Sequence, residues 1–123
     1  MLYMFLLYHD PRLPQPPDIM ERHFAVWRES KDRGAYRTSE AIGGADGATT
    51  VRLQDGKTTI TDGPFAETKE VLGGFYILDC KDLDEALEYA AKIPDSANGA
   101  VEVRVVRDVP GWEYSIPGER APF

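Results

Sequence analysis

The segments LYMFLLY at residues 2–8 and GFYILDC at residues 74–80 carry almost no charged side chain, and they decide the fold. A strand with one wet face alternates apolar and polar residues, whereas a strand apolar throughout must hide both faces. Between these runs the period changes. At 100° per residue, Ile19, Met20, His23, Phe24, Val26 and Trp27 fall within one arc of roughly 160°, while Glu21, Arg22, Arg28, Glu29 and Asp32 lie outside it. That is an amphipathic helix. Asp18 with Glu21 three residues on reads as its capping box, and Gly34 as the residue that closes it. Asp82 and Glu85 repeat the box ahead of a second helix whose face is Leu83, Ala86, Leu87 and Ala90, and Pro94 stops that helix.

The remaining segments are extended. Ala35 to Ile42 reads as a strand, and GGADGA after it as a loop. Thr49–Gln54 and Lys57–Thr61 are β-branched runs on either side of Asp55-Gly56, a strong hairpin signal. DGPF at 62–65 is a turn, and Val101 to Val106 alternates apolar with charged residues. The order β-α-β, hairpin, β-α-β predicts an α+β fold: a ferredoxin-like split βαβ with an added β-hairpin. Right-handed crossovers then set both helices on one face of a single antiparallel sheet. The helices cover one side of strands that are greasy on both. Leaving the second side wet exposes more apolar surface than soluble monomers usually tolerate, so the expectation is a homodimer packed through the sheet face, a dimeric α/β barrel.

At 123 residues the chain is long enough for one domain, expected over residues 1–109, with an irregular tail of prolines and aromatics at 110–123. Trp112, Tyr114 and Phe123 of that tail are expected to lie against the body or the dimer mate. A net charge of −7 argues against a nucleic-acid partner, whose phosphates are held by Lys and Arg. No stretch reaches the ~18 apolar residues of a membrane span. The apolar opening has neither a basic flank nor a cleavage site, so it is read as a strand and not a signal peptide. The lone Cys80 excludes an internal disulfide and any CxxC motif, and it ends a buried strand beside Asp79 and Asp82, which would raise its pKa. The expected location is the cytoplasm. No GxGxxG, HExxH or GxSxG is present, and neither a metal nor a cofactor is expected.

His23 is the most informative side chain. It lies inside the apolar arc, one turn from Ile19 and from Trp27, where a helix normally buries leucine. One reading is a core histidine bonded to a backbone carbonyl; the other is an imidazole poised as general acid or base in a pocket between helix and sheet. For its carboxylate partner the candidate is Asp62, at a strand end before a sharp Gly-Pro turn, although Asp before Gly also serves turns. Trp27, Arg52, Phe65 and Lys69 are the candidate substrate-binding residues. Arg52 could neutralise an anion, and the segment from Phe65 to Glu70 could cover a cleft. His9 and Asp10, after a strand and before the prolines, are expected to face solvent.

The stretch TTVRLQDGKTTITDGPFAETKEVLGGFYILDCKDLDEALEYAAKIP, from Thr49, followed by GAVEVRVV, resembles the DGPF branch of the YCII-related family. The resemblance runs from about Thr49 to Val106, and the helix from His23 to Gly34 is similar to the one that carries the family's histidine. It implies a ferredoxin-like fold of the dimeric α/β-barrel group and a His–Asp pair proposed as an active site for an unknown substrate. The histidine lands on His23, and Asp62 is the candidate aspartate. The DGPF branch also implies an association with extracytoplasmic-function sigma factors. Three functions follow as alternatives: an enzyme without cofactor that uses His23 and Asp62 on a small organic molecule, a ligand-sensing or regulatory domain working beside a sigma factor, and a structural dimer whose histidine is core.

Overall fold

A computed structural model of the chain describes residues 1–110. Its elements are β1 (Leu2–His9), α1 (Ile19–Asp32), β2 (Tyr36–Ala41), a 3₁₀ turn (Ala45–Gly47), β3 (Thr49–Gln54), β4 (Lys57–Asp62), β5 (Val71–Asp79), α2 (Leu83–Lys92), α3 (Asp95–Asn98) and β6 (Gly99–Val105). The main sheet has the order β2-β5-β1-β6 with every neighbour antiparallel. Each helix-connected pair, β1 with β2 and β5 with β6, is thus split by one strand of the other pair, which is the ferredoxin-like arrangement.

Period-2 alternation then sorts the apolar strands. Tyr3, Phe5 and Leu7 of β1 point to the helix side and pack with Tyr76 and Leu78 of β5, Val26 of α1, and Ala86, Tyr89 and Ile93 from α2 and its end. The pairings Met4↔Ile77 and Leu6↔Phe75 put a second apolar set on the side away from the helices. Both faces of these strands are therefore apolar, as their sequence requires.

The helix ends differ from expectation at one point. Gly34 closes α1 in the left-handed region at φ +74°, with Gly34 N–H on Lys31 O and Ala35 N–H on Ser30 O, the paired bonds of a Schellman motif. Asp82 caps α2 by accepting from Glu85 N–H at 2.9 Å, and Glu85 Oε1 accepts from Lys81 N–H at 3.3 Å. Asp18, however, makes no side-chain cap: its backbone is not extended, and Arg22 one turn on takes its carboxylate at 3.0 Å. A charged partner outcompetes the backbone amide there.

The hairpin turns on Asp55 and Gly56, both at positive φ, and β3 and β4 form their own two-stranded sheet rather than joining the main one. Val51, Leu53 and Ile60 share one of its faces and are exposed. Its base is tied down by Gly63 N–H on Ala48 O and by Thr50 Oγ1 on Gly63 O. Trp112, Tyr114 and Phe123 of the expected tail lie outside the described residues. Among the described residues, no helix is long and apolar enough to cross a membrane.

Candidate active site

The main sheet, α1 and α3 enclose a cavity of about 450 Å³ at the end where β1 leaves the sheet and β5 and β6 enter it. Ile19, Met20, Phe24 and Trp27 of α1 wall it, so much of the helix's apolar arc faces a cleft and not the core, and Val26 and Ser30 are the buried residues of α1. Trp27 stands edge-on to Tyr36 with ring centroids 6.4 Å apart, and Tyr36 Oη meets Ser39 Oγ at 2.8 Å on the floor. On that floor β5 carries Gly74, which lets β2 approach closely: a Cβ there would lie 2.7 Å from Glu40 O of the neighbouring strand.

His23 projects from α1 into this cavity between two groups. Its Nδ1 lies 2.6 Å from Tyr76 Oη, with the two rings stacked 5.9 Å apart, and its Nε2 lies 3.1 Å from Asp95 Oδ1. A carboxylate accepts and cannot donate. The nitrogen facing Asp95 is therefore assigned the proton, and Nδ1 accepts from the Tyr76 hydroxyl. Burial, helped by the nearby Asp95 charge, pushes the Tyr76 phenol well above its ordinary pKa and keeps that hydroxyl a donor. Nε2 and Oδ1 are at ion-pair distance, yet the contact is not an aligned hydrogen bond: Oδ1 is shielded from solvent and has no donor directed at it.

The way Asp95 arrives explains why it is the partner. Ile93, Pro94 and Asp95 are three consecutive buried residues at the exit from α2. Ser96 Oγ bonds Ile93 O at 2.8 Å, and Ala97 N–H bonds Pro94 O at 3.0 Å, so the elbow is locked. Pro94 does stop α2, but it also starts α3, because a residue without an N–H loses nothing in a helix's first turn.

Of the residues proposed from sequence, the structure brings His23 and Trp27 to the cavity and leaves the others elsewhere. Asp62 does not meet His23: it ends β4 in the exposed hairpin, outside the main sheet. Arg52 lies on that hairpin over the ring of Phe65, 5.8 Å from its centroid, and both are exposed. Lys69 is exposed and does not line the cavity. The hairpin's separation from the main sheet takes Asp62 and Arg52 away from the site, and Phe65 and Lys69 lie on the exposed segment between β4 and β5. His9 and Asp10 also correct the expectation of solvent. His9 lines the cavity, and Asp10 is buried and gripped by Arg12, whose hydrogen bonds hold its carboxyl down at about 2. Sequence reasoning missed Tyr76, hidden in an all-apolar run, and Asp95, whose Pro-Asp dipeptide was the available signal of a new helix start.

The YCII-related domain matches residues 1–110. An uncharacterised protein of Rhizobium meliloti (strain 1021) is 37% identical over 112 residues, covering 85% of this chain and 90% of that protein. Among solved structures, 5-chloro-2-hydroxyhydroquinone dehydrochlorinase from Burkholderia phenoliruptrix AC1100, in complex with 2,5-dihydroxybenzoquinone, is similar with a TM-score of 0.49 at 16% identity, over 89% of this chain and 97% of that one. The match along nearly the whole described chain and the identity to the rhizobial protein lead to one assignment: the chain belongs to the YCII-related family.

Proposed function

We propose that this cavity is the active site of an enzyme that moves a proton on a small organic molecule, with His23 as the acid–base group, Asp95 as its counter-charge and Tyr76 as the group that meets substrate. The observation that carries the reading is the unbroken contact chain Tyr76 Oη–His23–Asp95, at 2.6 and 3.1 Å, in the wall of an apolar cavity. Both imidazole nitrogens are engaged, so a substrate proton reaches His23 through Tyr76: Oη takes it while the phenol's own proton passes to Nδ1. Tyrosine is neutral before and after, and the imidazolium that forms lies against the Asp95 carboxylate. The reverse transfer delivers a proton to the product. Such positioned acid–base groups contribute about 10²–10⁴-fold in rate.

The second half of the proposal is a homodimer through the sheet face away from the helices, where Met4, Leu6 and Phe75 are half-buried and Ile77 is buried in the single chain. Light scattering reads it directly, and a 13.8 kDa species at micromolar concentration overturns it.

The catalytic half is tested by incubating the protein in D₂O with a panel of small carbonyl and hydroxy compounds and following loss of C–H signals by NMR. Exchange by the natural chain that His23→Gln abolishes, with stability changed by less than ~1–2 kcal/mol, supports it. A His23→Gln variant destabilised by more than ~3 kcal/mol, with no compound bound or exchanged by the natural chain, makes His23 a packing residue.

A further inference from the structure

The cavity's charge pattern specifies what it admits. Among the described residues, no lysine or arginine lines it, while Glu40 and Asp95 do. Asp95 is more than nine-tenths buried, with His23 Nε2 3.1 Å from its Oδ1. A carboxylate held in so apolar a setting opposes a second negative charge brought beside it. The surrounding wall of Ile19, Met20, Phe24 and Trp27 takes hydrocarbon, and the volume suits a molecule of one or two rings.

We infer that the cavity selects uncharged or cationic ring compounds and rejects carboxylates and phosphates. The inference rests on the cavity being the ligand site proposed above and narrows what enters it. It sets aside the alternative, read from Arg52, of a side chain that neutralises an anionic ligand. Arg52 lies outside the cavity, and an anion entering it meets the Glu40 and Asp95 carboxylates with the imidazoles of His9 and His23 and no lysine or arginine in the lining.

Three compounds of one size and different charge test it: benzyl alcohol, benzylamine and benzoate, titrated at pH 7.5 into the full chain and followed by protein-observed NMR. The expected result is chemical-shift change at Trp27 and the His23 ring with the alcohol and the amine, and binding of benzoate at least about tenfold weaker. Asp95→Asn, nearly isosteric, should cut that discrimination. Asp62→Asn, which removes a carboxylate on the exposed hairpin outside the cavity, should preserve it and so separates the charge at Asp95 from a change in net charge. Benzoate binding as tightly as benzylamine overturns the charge inference alone and leaves the proton-transfer reading standing. Failure of all three compounds to perturb the cavity overturns both.

Discussion

Replacing Tyr76 by Phe removes one oxygen and leaves the ring that stacks on His23. The hydroxyl sits 2.6 Å from Nδ1 in a side chain only 5% exposed, and the imidazole beside it is 19% exposed. Water replaces little of the lost bond at such a site. A net hydrogen bond is worth about 1 kcal/mol, and leaving Nδ1 without a donor adds part of a desolvation penalty, so the expected cost is about 1–2 kcal/mol. For a domain of this size each kcal/mol lowers the melting temperature by roughly 4 °C. Calorimetry measures the stability, and ¹⁵N NMR of the imidazole shows whether Nδ1 loses a donor while Nε2 stays protonated against Asp95. A double-mutant cycle with His23→Gln isolates the pair. Coupling below about 0.3 kcal/mol with an unmoved Nδ1 resonance refutes the hydrogen bond, because independent sites add to within that margin. In the proton-transfer assay the same variant should lose about 10²-fold or more while the cavity still binds ring compounds.

Three further outcomes follow from the fold. Burial, with Glu85 and Asp79 nearby, pushes the Cys80 thiol to about 11, so at pH 8 only about 0.1% is thiolate; iodoacetamide should label it slowly in the native state and quickly in denaturant, and fast native labelling contradicts the burial. The folded carboxyl of Asp10 lies below its unfolded value, so its stabilisation is present above about pH 4 and is lost as pH falls from there towards 2; Arg12→Ala should raise its carboxyl titration in ¹³C NMR, and an unmoved titration denies the ion pair its role. Gly34→Ala meets no atom within 4 Å, so its cost is purely the left-handed backbone, about 1 kcal/mol by thermal melt, and an unchanged or higher melting temperature shows that the residue does not need positive φ.

Periodicity revealed what depends on neighbours in the chain. The helix around His23, the Asp55-Gly56 hairpin and the two-faced strands each announce themselves within ten or so residues, and the split βαβ order follows from their succession. The partner of His23 did not, because it is a long-range pairing: seventy-two positions separate His23 from Asp95, and what joins them is the fold placing α1 and the end of α2 on one face of the sheet. The choice of Asp62 rests on a local signal, a strand end before a sharp turn, and it misses the site because β3 and β4 pair with each other and, among the described residues, with no strand of the main sheet. Tyr76 was invisible for the opposite reason. In a run such as GFYILDC one tyrosine reads as bulk, and only the register Phe5↔Tyr76 shows that its hydroxyl reaches the helix above.

The locked elbow at Ile93–Pro94–Asp95 makes α2 the ruler that meters where the acidic oxygen stops. A helix advances 1.5 Å and turns 100° per residue, so inserting or deleting a single residue between Leu83 and Lys92 would swing that oxygen away from His23. The length of α2 therefore fixes which side chain faces His23, and a one-residue change in that helix re-addresses the cavity while leaving every strand in register.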